Sequence, residues 1–261
     1  MTARGNIADM LCIGCQKGST SWLHSVLNCH PGTWAFPDSE PVTSTNKEAH
    51  FWDWNHDRGI DWYRTLLAPP EPEPERMTMD LTPEYALMSD NQIEECKSLN
   101  PNAQVIYILR DPMARAVSAL RMHILWHYGK DHNEPLTLND QFFKFMRQAN
   151  LSGHGDFMRN INAWRRHYPD MLVLNYEDFH TRRVDSVAEI FDRLGLDQSD
   201  MSDPQRKRFE GLMNGRVWAS EQFPIDRSVL LFLQGLTWKF RQQTQTELGM
   251  RFDEGARMIE A

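Results

Sequence analysis

Gly14-Cys-Gln-Lys-Gly-Ser-Thr-Ser-Trp-Leu23 is a turn of small residues between two apolar segments. The run before it, residues 10–13, has the length and composition of a buried strand. Apolar side chains after it repeat at helical spacing, at Trp22, Leu23, Val26 and Leu27. The free N–H groups and the dipole of a helix that begins here attract anions, and Lys17 adds a positive charge. The stretch predicts a phosphate-binding loop, and an ordinary strand-to-helix turn is the alternative.

The order of residues in this loop distinguishes between classes of phosphate-binding protein. Nucleotide triphosphatases use G-x-x-x-x-G-K-[ST], in which the lysine follows the second glycine and the next hydroxyl binds Mg²⁺. Here Lys17 precedes Gly18, so the hydroxyl directly behind the lysine is missing. This order disfavours a Walker-type kinase or GTPase.

Apolar runs of strand length alternate with helical patterns along the whole chain. Gln104–Leu109 is almost continuously apolar, which indicates a strand that is buried on both faces of a parallel sheet. Further strands are predicted at residues 76–81 and 171–174. Helices are predicted at residues 59–67, 91–99, 138–147, 157–167, 184–194 and 226–248, with another starting at Pro112 after the cap Asp111. This alternation predicts an α/β fold, with one domain over residues 1–261 and a central, mostly parallel sheet flanked by helices.

The composition narrows the class of protein. The 261 residues are 41% apolar and 25% charged, as in globular proteins, and the net charge is −8. A general nucleic-acid binder needs clustered Lys and Arg, so the acidic balance argues against that partner. No apolar run reaches the roughly 18 residues that span a bilayer and no signal peptide is evident, so we expect no membrane span and a cytoplasmic protein. The four cysteines do not suggest a disulfide framework, and no pattern assigns an oligomeric state.

Three polar stretches directly follow predicted strands. They are the Lys17 loop, Arg110-Asp111 and Asn175-Tyr-Glu-Asp178. Ligands of open parallel sheets bind at the carboxyl ends of strands. Arg110 offers a planar fork for phosphate oxygens, and Ser118, two helical turns later, offers one more donor. A surface salt bridge and a helix serine are the alternative for these two residues.

Taken together, these stretches resemble the PAPS-dependent sulfotransferases. Leu109-Arg-Asp-Pro-Met-Ala-Arg-Ala-Val-Ser118 resembles their 3′-phosphate motif, R-[DN]-P-x-x-R-x-x-S. The loop at Lys17 resembles their 5′-phosphosulfate motif, K-[ST]-G-T-[ST], with Gly18 and Ser19 transposed. The resemblance implies a P-loop NTPase-like sulfotransferase fold and PAPS (3′-phosphoadenosine 5′-phosphosulfate) as the sulfuryl donor. Arg110 and Ser118 would then bind the 3′-phosphate, and the 5′-phosphosulfate would be bound by Lys17, Gly18, Ser19, Thr20 and Ser21.

The resemblance also suggests contacts to the adenine. Trp22 stands where cytosolic members of the family carry an adenine-stacking tryptophan, and packing in the core is the alternative. Val173-Leu-Asn-Tyr-Glu-Asp178 resembles the Y-E-D turn of the family, which places Tyr176 near the adenine. Further candidate ligands come from the C-terminal helix, where helix solvation is the alternative; these are Arg227, Trp238, Lys239 and Arg241.

The catalytic prediction rests on a second resemblance. Lys47-Glu-Ala-His-Phe-Trp52 is similar to the K-E-x-H-F-F stretch of the glycan sulfotransferases, including the heparan sulfate enzymes. That branch implies Glu48 as the base that deprotonates the acceptor hydroxyl, with His50 as the second candidate. Lys17 would stabilise the leaving phosphate, and the scheme requires no metal. A solvated ion pair is the alternative for Lys47-Glu48.

The sequence therefore predicts a sulfotransferase that acts on a hydroxyl-bearing acceptor, either a sugar or a small alcohol. The net charge weighs against a heavily sulfated polymer. Two interpretations are open for the aromatic residues near Glu48, an aromatic wall beside it or packing in the core. These residues are Phe51, Trp52, Trp54 and Trp62. Two other functions remain open, a P-loop-type nucleotide kinase that needs Mg²⁺ and a nucleotide-binding module without catalysis. The chain departs from the family pattern in one further region. Where the family has E-[KS]-[ST]-x-x-Y, this chain has Asp80 and Leu81 at the first two positions.

Overall fold

A computed structural model describes residues 6–37, 46–70, 75–215 and 223–260. Its strands form one five-stranded sheet in the order β2-β3-β1-β4-β5, and every neighbouring pair is parallel. The expected α/β fold with a mostly parallel sheet is therefore confirmed. The strands are β1 (Met10–Cys12), β2 (Thr33–Trp34), β3 (Met77–Asp80), β4 (Gln104–Leu109) and β5 (Leu172–Asn175).

Helices cover both faces of this sheet. The first six along the chain are α1 (Thr20–Leu27), α2 (Ile60–Leu67), α3 (Asp90–Leu99), α4 (Pro112–Tyr128), α5 (Asp140–Gln148) and α6 (Leu151–Gly155). The next six are α7 (Phe157–Arg165), α8 (Asp178–Thr181), α9 (Arg183–Leu194), α10 (Asp203–Asn214), α11 (Arg227–Leu248) and α12 (Glu254–Glu260). Short 3₁₀ helices lie at His56–Arg58, Pro83–Leu87 and Gln198–Asp200.

The pleat of the central strands explains their continuous apolar sequence. Leu11 of β1 and Tyr107 of β4 belong to the core on one face, whereas Met10 and Ile106 belong to the core on the other. Successive side chains of a strand point to opposite faces, so a strand covered on both sides has no position that water reaches. Burying each such side chain is worth roughly 1.5–3 kcal/mol, which favours the central position of these strands.

Helix α4 begins as the sequence predicted. The Asp111 carboxylate accepts hydrogen bonds from the backbone N–H groups of Met113 (2.9 Å) and Ala114 (3.1 Å), and Pro112 occupies the first helical position. This cap fixes the direction in which the chain leaves β4. Arg110 and Ser118 are consequently held near the carboxyl end of the sheet.

Some elements were missed from the sequence. Strand β2 has two residues and was not predicted. A strand this short shows no periodicity. Helix α10 was not predicted, although its capping box between Ser202 and Gln205 is a readable signal. Helices α6, α8 and α12 are each seven residues or shorter and were also missed.

The last helix returns to the carboxyl ends of the strands. The Gly255 N–H donates to the Asp111 carboxylate at 3.1 Å. A Cβ atom at position 255 would lie 2.6 Å from an oxygen of that carboxylate, so only glycine permits this approach. The start of α12 is thereby placed beside Arg110.

Candidate active site

The predicted phosphate loop lies between β1 and α1 and is attached to β4. The Cys15 N–H donates to Ile108 O at 2.7 Å, and the Ile108 N–H donates to Gly14 O at 2.8 Å. Gly18 closes the turn by donating to Cys15 O at 2.9 Å. These bonds hold the loop at the carboxyl ends of the two central strands, which is where parallel sheets bind ligands.

The transposed pair Gly18-Ser19 has a steric explanation. A Cβ at position 18 would lie 2.9 Å from Cys15 O and 3.0 Å from Cys15 Sγ, so a larger residue does not fit there without a shift. Ser19 directly precedes α1 with φ 69° and ψ 24°, in the left-handed region that glycine tolerates best. The loop therefore has its glycine where space is tight and accepts backbone strain at the serine.

We predict that Ser19→Gly stabilises the protein. A left-handed residue with a Cβ costs roughly 1–2 kcal/mol, and the greater freedom of glycine in the unfolded chain offsets part of the gain. We expect a net increase of about 0.5–1 kcal/mol in the free energy of unfolding, measured by chemical denaturation. Ser19→Ala is the control, because it removes the hydroxyl and keeps the Cβ. A Ser19→Gly protein less stable than Ser19→Ala contradicts the prediction.

Lys17 and Arg110 bring two positive charges to one end of the sheet. The Arg110 guanidinium donates to Lys17 O at 2.9 Å and lies 4.5 Å from the ring centroid of Tyr176. Burial lowers the pKa of Lys17, and the charge of Arg110 lowers it further. Among the described residues the Lys17 ammonium has only the Met122 sulfur, at 3.7 Å, within hydrogen-bond range. An anion placed between these two cations would relieve both the burial and the repulsion.

Arg110 has a partner that no sequence pattern indicated. Its Nε and Nη2 donate to the two carboxylate oxygens of Glu254, at 2.8 and 2.5 Å. Burial acts against the charge of Arg110, but the hydrogen bonds and charge of Glu254 outweigh it and raise the pKa of the guanidinium. The start of α12 is held in turn by Glu177, whose carboxylate accepts from the N–H groups of Asp253 and Glu254. The fork assigned to the 3′-phosphate thus binds a carboxylate of the same chain.

The predicted base lies in a chain of ionisable side chains. Glu48 forms an ion pair with the Lys47 ammonium through one carboxylate oxygen, and its other oxygen lies 3.3 Å from His50 Nε2. His50 Nδ1 lies 2.7 Å from the Asp53 carboxylate. The His50 ring stacks on Trp54 with centroids 3.5 Å apart and planes within 4°. The imidazole is therefore fixed from two sides, and Glu48 is positioned by Lys47 and His50 together.

Asp80 anchors this loop to the sheet. Its buried carboxylate accepts hydrogen bonds from the hydroxyls of Tyr63 (3.0 Å), Tyr85 (2.9 Å) and Thr82 (2.7 Å). It also accepts the N–H of Ala49 at 3.2 Å, between the two candidate bases. Burial nevertheless raises the pKa of Asp80. The residue that departs from the family pattern at this position has a structural role, because it fixes the backbone that carries Glu48.

One cavity of about 700 Å³ joins these groups. The predicted site residues that line it are Lys17, Ser19, Thr20, Ser21, Trp22, Glu48, His50, Arg110, Ser118 and Tyr176. Gly18 is absent from the lining, because it packs behind the loop against Cys15. The fold therefore brings together residues that the separate motifs predicted. These residues are far apart in sequence, at 16–22, 48–50, 110–118 and 176.

The cavity also changes the interpretation of several aromatic residues. Phe51 and Trp52 are buried in the core and Trp62 packs against it, so of the expected aromatic wall only Trp54 lines the cavity. Trp22 is buried, and its indole N–H donates to Leu212 O of α10 at 3.3 Å. The core role of Trp22 is thus visible, while one side of it borders the cavity. The cavity lining includes none of the C-terminal candidates Arg227, Trp238, Lys239 and Arg241.

Two further groups at the cavity were not foreseen. Trp126, one turn after Met122 on α4, is 70% exposed and lines the cavity. His50, Asp53 and Glu84 place ligand atoms within 4.8 Å of one another, a composition that suits a divalent cation. The 2.7 Å contact between His50 and Asp53 already gives both groups a partner, so the geometry is equally that of an oriented imidazole.

Comparison with known proteins identifies the family. Residues 8–211, which contain all the predicted site residues that line the cavity, match the family described as "Sulfotransferase domain". The chain belongs to the sulfotransferase family. Human heparan sulfate glucosamine 3-O-sulfotransferase 3B1 is 25% identical over 193 residues, which are 73% of this chain and 46% of that protein. The bifunctional heparan sulfate N-deacetylase/N-sulfotransferase 1 of Caenorhabditis elegans is 27% identical over 175 residues, which are 62% of this chain and 19% of that protein.

The solved structures agree with the sulfotransferase fold. A sulfotransferase from Alicyclobacillus acidocaldarius superposes with a TM-score of 0.66 at 17% identity, covering 96% of this chain and 99% of that one. The chain spans about half the length, or less, of the curated sulfotransferases that it matches.

The expectation of a cytoplasmic protein is wrong. The curated relatives include the heparan sulfate glucosamine 3-O-sulfotransferases 3B1, 3A1 and 6, which are enzymes of the Golgi lumen. Within the described ranges, no helix has both the length and the apolar character needed to cross a membrane.

Proposed function

We propose that this sulfotransferase transfers the sulfuryl group of PAPS to a hydroxyl of a carbohydrate or small alcohol. One observation supports this most directly: the cavity that holds Lys17 and Arg110 also contains the Glu48 carboxylate. The residues that would bind the sulfuryl donor and the base that would act on the acceptor hydroxyl therefore line the same cavity. The relatives named for heparan sulfate favour a carbohydrate as acceptor. A kinase is disfavoured by the family match and by the position of Lys17 before Gly18.

The residues of the loop fit the nucleotide that the family uses. Bound PAPS supplies a sulfuryl group and a phosphate leaving group. Lys17 and the residues from Ser19 to Ser21 would bind the phosphosulfate, because a buried cation and hydroxyl donors at a helix start match its charge. Arg110 and Ser118 would bind the 3′-phosphate once Glu254 releases the guanidinium. Tyr176, which lies against Arg110, borders the same part of the cavity.

Glu48 is the base in this proposal. Its carboxylate accepts the proton of the acceptor hydroxyl while that oxygen forms a bond to sulfur. The bond between sulfur and the 5′-phosphate oxygen breaks, and its electron pair remains on the phosphate beside the Lys17 ammonium. The products are the sulfate ester and adenosine 3′,5′-bisphosphate. His50, held by Asp53 and Trp54, positions Glu48 and is the second candidate for the base.

Adenosine 3′,5′-bisphosphate is expected to raise the temperature of unfolding. A ligand at 100 times its Kd stabilises the native state by about 2.7 kcal/mol, which in a chain of this size is roughly 5–10 °C. Arg110→Ala should lose most of this shift, whereas ATP with Mg²⁺ should produce less of it. The measurement is a thermal scan at several nucleotide concentrations. The proposal fails if wild type and Arg110→Ala respond alike, or if ATP with Mg²⁺ is the stronger ligand.

A further inference from the structure

We propose that the acceptor is an uncharged molecule whose ring packs against Trp126 and Trp54, and not a sulfated polysaccharide. This inference rests on the proposed function and concerns the part of the same cavity that faces away from the nucleotide. It is carried by the position of the two tryptophans relative to the reacting groups and by the charges around them.

The tryptophans flank the point of transfer. Met122 touches the Lys17 ammonium, and Trp126 lies one helical turn further along α4, on the same face. On the other side, Trp54 stacks on His50, which in turn contacts Glu48. A hydroxyl that reaches Glu48 and faces the donor therefore brings its ring between these indoles.

Both indoles are exposed to a degree unusual for tryptophan. Trp126 is 70% exposed and Trp54 is 58% exposed, although both line a cavity. Trp126 has only His123 as a ring partner among the described residues, at 5.2 Å between centroids. Large aromatic surfaces at a cavity mouth suit the apolar face of a sugar or another ring, which covers them on binding.

The charges around these indoles are unfavourable for an anionic acceptor. Among the described lining residues the cations are Lys17 and Arg110, both of which the nucleotide occupies in our proposal. The acidic side chains of the same lining are Glu48 and Glu84. The pKa of His123 is lowered by burial and by the charge of Lys17, which disfavours the positively charged form of this ring. In the described lining, sulfate groups on the acceptor would meet these carboxylates and no Lys or Arg beyond the two that bind the nucleotide.

The residue 80–85 region contributes to the same conclusion. Leu81 is buried in the core, and Glu84 accepts a hydrogen bond from Gln16 at 3.1 Å. Position 81 thus brings no charge to the cavity, and Glu84 in the lining is acidic. Discrimination against sulfated acceptors thus comes from repulsion as well as from the missing attraction.

A panel of acceptors tests the inference with PAPS as donor. The probes are 2-naphthol, p-nitrophenyl β-glucoside and an N-sulfated heparosan oligosaccharide. We expect transfer to at least one uncharged probe, with a KM that hardly changes between low and high salt, and little transfer to the oligosaccharide. Faster transfer to the oligosaccharide than to both uncharged probes overturns the inference, as does transfer to none of the three by a protein that binds adenosine 3′,5′-bisphosphate.

Substitution of Trp126 provides the second test. Trp126→Ala should raise the KM for the uncharged acceptor about tenfold and leave kcat and nucleotide binding nearly unchanged, because an aromatic contact contributes to acceptor binding alone. The matched control is Trp238→Ala, since Trp238 is 55% exposed and lies outside the cavity. Equal KM values in the two variants overturn the inference. If the wild-type protein does not bind the nucleotide, the proposed function itself is contradicted.

Discussion

Glu48→Gln is expected to reduce sulfuryl transfer by about 10²-fold or more while nucleotide binding is retained. The amide keeps the shape of the carboxylate and a hydrogen-bonding oxygen, but it does not take up the proton of the acceptor hydroxyl. Lys47 loses its anionic partner in this variant. Burial already lowers the pKa of Lys47 to about 8, so the lysine can become neutral without unfolding the loop.

The test measures release of adenosine 3′,5′-bisphosphate at saturating PAPS, with the uncharged probe that wild type sulfates. Asp61→Asn is the control, because it removes a carboxylate from an exposed ion pair on α2. His50→Asn is measured in parallel, and we expect a smaller loss than for Glu48→Gln, since His50 positions the base. Unchanged transfer in Glu48→Gln with a large loss in His50→Asn would make the imidazole the base.

Glu254→Gln is expected to tighten the binding of adenosine 3′,5′-bisphosphate about tenfold, or about 1.4 kcal/mol. In the structure the Arg110 fork is taken by the Glu254 carboxylate, and both side chains are mostly shielded from water, with 14% and 25% exposure. A 3′-phosphate must displace this carboxylate or suffer its repulsion. The neutral amide competes far less well for the guanidinium, because charge-assisted hydrogen bonds are the stronger ones.

Titration calorimetry of wild type and variant measures this effect directly. Glu260→Gln, at the exposed end of the same helix α12, is the control for a general change of charge. The decisive comparison adds Arg110→Ala: if Glu254 acts through the arginine, its substitution has little effect on affinity in the Arg110→Ala background. Weaker binding by Glu254→Gln alone would show that Glu254 orients Arg110 for the phosphate and does not compete with it.

The parts of the fold that the sequence revealed are those with a local physical cause. The apolar run of β4, the Asp111 cap of α4 and the helical pattern of α9 each depend on residues close together in sequence, and each was predicted. Strand β2 is held by two parallel pairings with β3, which no local pattern predicts. Helix α10 was readable from its capping box but lies in a segment with few apolar residues.

The site residues also differ in whether a local sequence pattern reveals them. Arg110, Lys17 and Glu48 belong to short motifs, and the cavity contains all three. The contact between Arg110 and Glu254 spans 144 residues, so only the folded chain reveals it. Burial was equally hidden, because the aromatic residues of 51–54 look alike in sequence, while the fold places Phe51 in the core and Trp54 at the cavity.

The Asp80 anchor has a consequence for the redesign of acceptor preference. The carboxylate fixes the backbone between Glu48 and His50 from within the core, by contacts that involve neither Trp126 nor the rest of α4. Position 126 is therefore open to exchange for residues that suit another acceptor, while the proton-accepting group stays in place. A library confined to the exposed face of α4 should change which alcohol is used before it changes how fast the transfer proceeds.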